Sequence, residues 1–338
     1  MKPNTLPIRQ QDDWQSQLRT VIGSAQQLLA LLDLQPADVG FSAQACRDFA
    51  LKVPLAFVRR MRVGDPQDPL LLQVLARAEE LAETPGFSRD PVGETGAANP
   101  ARGIIHKYHG RALLIVSSGC AINCRYCFRR HFPYADNQNS RREWYEALAY
   151  IAADPDISEV ILSGGDPLLA SDQHLDDLVT QIAAMPQVRR LRIHTRLPVV
   201  IPDRVSPGLL DAITRPGLQT IVVIHCNHAN EIDATVEAAV ARLARRGITL
   251  LNQSVLLAGI NDSASALSAL SERLFAAGVL PYYLHLLDKV QGAAHFDVPK
   301  DRALRLIAEI SAALPGYLVP KLVREVAGAP SKQAVGRI

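Results

Sequence analysis

The stretch "SSGCAINCRYCFRRHF", residues 117 to 132, places Cys120, Cys124 and Cys127 in a C-x3-C-x2-C spacing directly after an apolar run. Three thiols this close call for a metal, because a disulfide would leave one unpaired and a reducing compartment disfavours it. A structural zinc ion with His131 as fourth ligand satisfies the donor chemistry. Such sites usually pair two separated knuckles, however, and the chain has no second one. A cubane iron–sulfur cluster normally takes four thiolates. With three, one iron keeps an open position, which is what separates reactive metal sites from closed structural ones. Cys46 lies far upstream and Cys226 follows His225. Both read as ordinary buried thiols.

The surroundings of this loop indicate the fold. From residue 111 onward, short apolar runs recur: "ALLIVSS", "EVILSGG", "LRIHTR", "TIVVIHCN", "ITLLNQSVLL" and "YYLHLL". Between them lie amphipathic segments such as "RREWYEALAYIAA", "DQHLDDLVTQIAAM" and "EIDATVEAAVARLARRG". Continuous apolar strands alternating with helices predict a parallel sheet covered by helices, an α/β architecture. Six such units fit between residue 111 and about residue 314. A partial barrel and a doubly wound sheet both satisfy the pattern. Every strand ends in chemically capable residues: Cys120, Gly164-Gly165-Asp166, His194-Thr195-Arg196, His225, Gln253 and Asp288. In a parallel barrel those ends converge on the face where active sites are built, which points to an enzyme.

Upstream, Trp14, Leu18, Val21, Ile22, Leu28, Leu29 and Leu32 predict helix across 14–33, with further helices at Ser42–Phe49 and Leu70–Glu83. Residues 86–103, rich in Gly and Pro, read as a linker or covering loop. The expected organisation is a helical N-terminal subdomain with its covering loop (1–105), a catalytic barrel (106–314) and a C-terminal segment (315–338). With 48% apolar residues in 338, a sizeable core is expected. The formal net charge of +2, without long charge runs, argues against nucleic-acid or membrane-surface binding. The first residues show no secretory signal, and no apolar run approaches the roughly 18 residues of a spanning helix. The expected setting is cytoplasmic.

The C-x3-C-x2-C spacing, with Tyr126 before its last cysteine, resembles the signature of the radical S-adenosylmethionine superfamily. That resemblance implies a partial (β/α)6 barrel and a [4Fe–4S] cluster on Cys120, Cys124 and Cys127, with S-adenosylmethionine bound to the open iron. "SGGDP" (163–167) resembles the second motif, implying cofactor contacts from Gly164, Gly165 and Asp166. Together with "CRYCFRRHF", "RIHTRLPVVIPDR", "HCNHANEI", "NQSVLLAGIND" and "PYYLHLLDKVQGAAHF", these motifs resemble the lysine 2,3-aminomutase family over roughly residues 50–332.

The family resemblance further implies pyridoxal 5′-phosphate on Lys332, held through a Schiff base, in "VREVAGAPSK", where the family's run of glycines is reduced. Lys107, Tyr108 and Arg111 match positions around that cofactor's ring and phosphate. Tyr126, His225 and Gln253 match positions around S-adenosylmethionine. Arg129 matches an arginine that clamps the substrate carboxylate, for which a guanidinium fork is suited. Asp288 matches an acidic contact to the distal amine of L-lysine. Glu325 stands where the family has aspartate, so its carboxylate reaches one methylene further. The implied reaction moves the lysine amino group from Cα to Cβ, and a reducing electron donor is required. Glu325, "GAPSK" and an end soon after Lys332 resemble the branch making (R)-β-lysine for a ligase that modifies translation elongation factor P. Two other readings stay open: an aminomutase for another amino acid such as glutamate, and a zinc-stabilised non-catalytic binding protein.

Overall fold

The computed structural model describes residues 13–137 and 144–336. The first twelve residues, and the start of the predicted helix at 141–143, lie outside them. One nine-stranded sheet organises the chain, with strands in strict sequence order. A two-residue turn joins β1 (Ile104–Tyr108) to β2 (Arg111–Ser117) in antiparallel pairing. Strands β3 (Glu159–Gly164), β4 (Arg190–Thr195), β5 (Gln219–His225), β6 (Thr249–Val255), β7 (Leu280–His285) and β8 (Lys321–Arg324) then follow in parallel. β9 (Gln333–Ala334) returns antiparallel to β8.

This order decides between the two architectures. A doubly wound sheet reverses direction at a switch point. Here each crossover advances the sheet the same way, so the twist curls it into an open barrel with helices outside. The helices form for local reasons. Asp172–Ala183 buries Leu175, Leu178, Val179 and Ile182, a helical stripe, and Ser171 caps it by accepting from the His174 N–H. Ala234–Arg245 repeats the pattern with Val236, Ala239, Val240 and Leu243 under an Asp233 cap. The sheet exceeds the expected six strands because β8 and β9 are too short for an alternation signal, and β1 is interrupted by the polar "HKY".

Two N-terminal expectations are revised. Residues 14–33 form two helices, α1 (Trp14–Arg19) and α2 (Ala25–Leu31), because Ile22 exchanges backbone hydrogen bonds with Val53 and Ser24 caps a new start. The span 70–83 carries only a 3₁₀ turn at Ala78–Leu81. Leu70 to Leu75 are buried on every side rather than along one stripe, and the Gln73 and Ala76 carbonyls accept from Arg125 and Ser42 instead. The Ser42–Phe49 expectation matches α3 (Ala43–Asp48). Apolar residues of this region share one continuous core with the barrel and its helices. Among the described residues, no helix is long and apolar enough to cross a membrane.

Candidate active site

The loop after β2 carries the three cysteines and is gripped from the N-terminal side. Arg125, fully buried, donates from Nε to Glu80 at 2.7 Å and from Nη2 to the Ala45 carbonyl at 3.1 Å. Arg130 reaches the same Glu80 at 3.0 Å. The backbone N–H groups of Asn123 and Arg125 donate to the Lys52 and Gln73 carbonyls, both at 2.9 Å. The cysteines are therefore aimed into the barrel by an anchored loop. Burial, then the neighbouring Cys127 thiol, pushes Cys120 well up, and burial followed by Cys124 raises Cys127 to about 11. Thiols that oppose each other's ionisation need a cation to become thiolates together.

The loop after β3 lies directly against this segment. Gly165 and Asp166 donate backbone N–H groups to the Ser117 and Gly119 carbonyls at 2.7 and 2.8 Å. A Cβ on Gly165 would sit 2.0 Å from the Gly119 oxygen, and one on Gly164, at φ +119°, 2.4 Å from that of Ser117. Only glycine allows that approach. Gly165→Ala is expected to displace the cysteine loop and cut iron content per chain severalfold, with the far-ultraviolet spectrum retained. Full iron loading in that variant would contradict this reading of the packing. The Asp166 carboxylate is wholly engaged, accepting from Thr195 Oγ1 (2.7 Å) and the N–H groups of Leu168, Arg196 and Leu197 (3.1, 2.8 and 3.0 Å). It locks the ends of β3 and β4 together.

Around the cysteines, the Tyr126 hydroxyl accepts from Arg196 Nη1 and Asn227 Nδ2, both at 2.7 Å, and lies 3.4 Å from His225 Nε2. Burial and then Arg196 lower His225 to about 4, so its imidazole is neutral.

Lys332 lines the interior from the β8–β9 hairpin. The β8–β9 register pairs Val323 with Ala334 and Arg324 with Gln333, so the next pair is Glu325 opposite Lys332. Cross-strand placement brings Lys332 Nζ to Glu325 Oε2 at 2.9 Å. The other Glu325 oxygen accepts from Lys107 Nζ at 2.7 Å. Burial works to raise Glu325, but Lys332 and then Lys107 outweigh it and hold it well below the usual carboxylate range. Arg111 stacks 4.7 Å over the Tyr108 ring. Arg129 is gripped by Glu94 at 2.6 and 2.9 Å, and its Nη1 donates to Ser163 Oγ and the Gly164 carbonyl. Four of its five N–H groups are thus engaged within the protein.

All the residues that the sequence nominates line one cavity of about 570 Å³ inside the barrel: Cys120, Cys124, Cys127, Lys107, Tyr108, Arg111, Tyr126, Arg129, Gly164, Gly165, Asp166, His225, Gln253, Asp288, Glu325 and Lys332. Sequence reasoning passed over Glu94, which comes from the covering loop without any periodic signal. It also left His194, Arg196 and His285 without roles, although the polar endings of β4 and β7 were visible. Among the described residues, His194 Nε2 and His285 Nε2 are buried without a hydrogen-bond partner. Each such group costs about 1–3 kcal/mol if nothing fills the space, so the cavity suits a polar ligand. His131 points elsewhere, 3.3 Å from the Gln291 carbonyl, and among the described residues no three His, Cys, Asp or Glu side chains converge as one metal ion requires. The zinc reading therefore loses its fourth ligand. Cys46 and Cys226 do not line the cavity, leaving three thiols for a larger cluster.

Comparison with known proteins gives the family. The Radical SAM superfamily model matches residues 114–266. L-lysine 2,3-aminomutase of Escherichia coli (strain K12) is 52% identical over 329 residues, covering 97% of this chain and 96% of the relative. The chain belongs to the L-lysine 2,3-aminomutase family. The enzyme of that name from Haemophilus influenzae is 47% identical over 98% of this chain and 97% of its own length. That of Clostridium subterminale is 32% identical over 96% of this chain and 78% of its own. As a radical S-adenosylmethionine protein, this aminomutase family member uses a [4Fe–4S] cluster and S-adenosylmethionine, and lysine aminomutases use pyridoxal 5′-phosphate. Three thiols lining one cavity suit the donor chemistry of the first, and the Gly164–Gly165 turn packed beside them lines the same cavity, where it would meet the second.

Proposed function

We propose that this chain converts L-lysine to (R)-β-lysine by moving the amino group from Cα to Cβ, and that the product supplies the modification of elongation factor P. The observation that carries the reading is that three thiols and Lys332, Glu325 and Asp288 line one and the same cavity. The cluster and S-adenosylmethionine supply, when bound, a carbon-centred radical able to remove hydrogen from the unactivated Cβ. Pyridoxal phosphate supplies, when bound, a conjugated carbon that carries the migrating nitrogen.

The chain's own residues bind and orient. Cys120, Cys124 and Cys127 hold the iron, with Gly164, Gly165, Tyr126, His225 and Gln253 around the nucleoside and methionyl parts. Lys332 is the attachment point for pyridoxal phosphate, with Lys107, Tyr108 and Arg111 toward its ring and phosphate. Arg129, its fork fixed by Glu94, meets the substrate α-carboxylate through its remaining Nη2 hydrogen. Asp288 meets the distal ammonium. It is half-buried in the cavity wall, its side chain has no hydrogen-bond partner among the described residues, and desolvation followed by Glu325 raises it to about 7. A carboxylate poised this way favours a cationic substrate over glutamate. The inferred setting is cytoplasmic, in keeping with five cysteines free of disulfides. The electron donor is an external low-potential reductant.

Because Asp288 titrates near 7 without ligand, a bound ammonium favours its ionised form, and lysine binding releases a proton. The KM for lysine is therefore expected to rise as pH falls below about 7. Asp288→Asn removes a charge-assisted hydrogen bond of about 1.5–3 kcal/mol, raising KM roughly 10- to 150-fold. Its KM should also be flatter with pH. A pH-independent wild-type KM between 5.5 and 8 would contradict this role.

Anaerobic reconstitution with reductant, S-adenosylmethionine, pyridoxal phosphate and L-lysine, followed by chiral chromatography, tests the proposal. (R)-β-Lysine that the elongation factor P ligase accepts supports it. The S isomer sinks the assignment to that branch, and no β-lysine from a protein with an intact cluster sinks the reaction.

A further inference from the structure

Arg196 follows β4, is 6% exposed, and is held through its backbone N–H and both guanidinium amino groups. Its Nη2 donates to Gln73 Oε1 at 2.7 Å and Glu231 Oε2 at 2.9 Å, and its backbone N–H donates to Asp166 at 2.8 Å. Glu231 is itself pinned by the N–H groups of Asn227 and His228 at 2.9 and 3.1 Å and by Gln73 Nε2 at 3.1 Å. The guanidinium cannot swing away. Its remaining amino group, Nη1, points at the cysteine loop, 2.7 Å from Cys124 Sγ and 2.7 Å from the Tyr126 hydroxyl. Burial works against its charge, but Cys124, Tyr126 and Glu231, in that order, outweigh burial and keep it protonated.

We propose that Arg196 is a positioning residue that sets the reduction potential of the iron–sulfur cluster through a charge-assisted hydrogen bond to the Cys124 sulfur. The inference rests on the assignment of the cluster to Cys120, Cys124 and Cys127. A [4Fe–4S]²⁺ core with three thiolates carries a net charge of −1. Taking one electron from an external low-potential reductant gives [4Fe–4S]⁺ and a net charge of −2. A fixed cation against one thiolate favours the second state, and hydrogen bonds to the sulfurs together with net charge are the levers that tune such potentials. Glu231 compensates the arginine but lies on the Nη2 side, whereas Nη1 touches the sulfur. Removing both charges together therefore still removes more positive than negative potential at the cluster.

The same side chain gives the cluster loop a mechanical link to the second motif. Arg196 grips Cys124 with its head and Asp166 with its backbone, so the thiols and the glycine turn move as one unit. A purely structural partner of Glu231 would share this packing yet leave the potential alone, and that difference makes the idea testable.

The experiment is an anaerobic redox titration followed by electron paramagnetic resonance. It compares the reconstituted wild type, Arg196→Lys, and the Arg196→Gln/Glu231→Gln double variant, which leaves no stranded charge if the single replacement misfolds. Iron and sulfide content are measured first. The expected result is a cluster in all three, with the double variant at least tenfold less reduced than wild type at one fixed potential, about 59 mV lower in midpoint. Arg196→Lys, which keeps the charge but loses the fork, should fall between. Coincident midpoints for wild type and the double variant, or a shift to higher potential, would overturn the proposal. If the double variant holds no cluster, Arg196→Lys decides, and a midpoint equal to wild type overturns it. A wild type without a cluster would sink the cluster assignment instead.

Discussion

Cys124→Ala is expected to abolish both deoxyadenosine release and β-lysine formation, leaving a folded protein that retains pyridoxal phosphate. The separation follows from the layout of the cavity. Cys124 lies at the end gripped by the N-terminal region, whereas Lys332 is carried on the β8–β9 hairpin. The chain has no spare thiol to substitute, since Cys46 and Cys226 lie outside the cavity. Two thiols cannot hold a cluster that already lacks its fourth protein ligand. The check is iron content with product analysis, and turnover by the variant at even a few per cent of wild type would contradict the ligand assignment.

Lys332→Ala should give the complementary loss. The cluster forms and S-adenosylmethionine still binds, but pyridoxal phosphate is no longer retained covalently, seen as a missing absorbance that borohydride fixes in wild type. Amino migration falls by on the order of 10⁵-fold, the advantage of a nucleophile held in place over one that must be captured from solution. The substitution also frees one Glu325 oxygen, leaving Lys107, at 2.7 Å, as its only cationic partner among the described residues. Glu325 should then titrate higher than in wild type. Methylamine would partly restore migration if the loss is chemical. Migration at wild-type rates without a lysine at 332 would contradict the assignment.

The barrel was legible because β3 and β5 are buried along nearly their whole length, β4 and β6 alternate, and the helices carry clean stripes, patterns a sequence displays directly. The strand ends were legible for the same reason, and Cys120, Gly165, His225 and Asp288 indeed converge on one cavity. What stayed hidden is what depends on pairing rather than pattern. β8 spans four residues and β9 two, so the opposition of Glu325 and Lys332 exists only in the register of their hairpin. Glu94 lies in a Gly- and Pro-rich loop with no period at all, and only the folded chain brings it within 2.6 Å of Arg129. The failed helix at Leu70–Glu83 shows the opposite error. Apolar spacing there reflects burial on all sides, and the Gln73 carbonyl serves the cysteine loop instead. Arg196 was visible at a strand end, but its bond to Cys124 spans 72 positions.

The central claim is that one cavity places the Cβ of lysine beside the radical source at the cysteine end. L-Lysine deuterated at C3, turned over anaerobically by the reconstituted protein, tests it most directly. The account predicts deuterium in the 5′ position of deoxyadenosine and, on its return, at C2 of the β-lysine formed. β-Lysine that forms while deoxyadenosine stays unlabelled would contradict it.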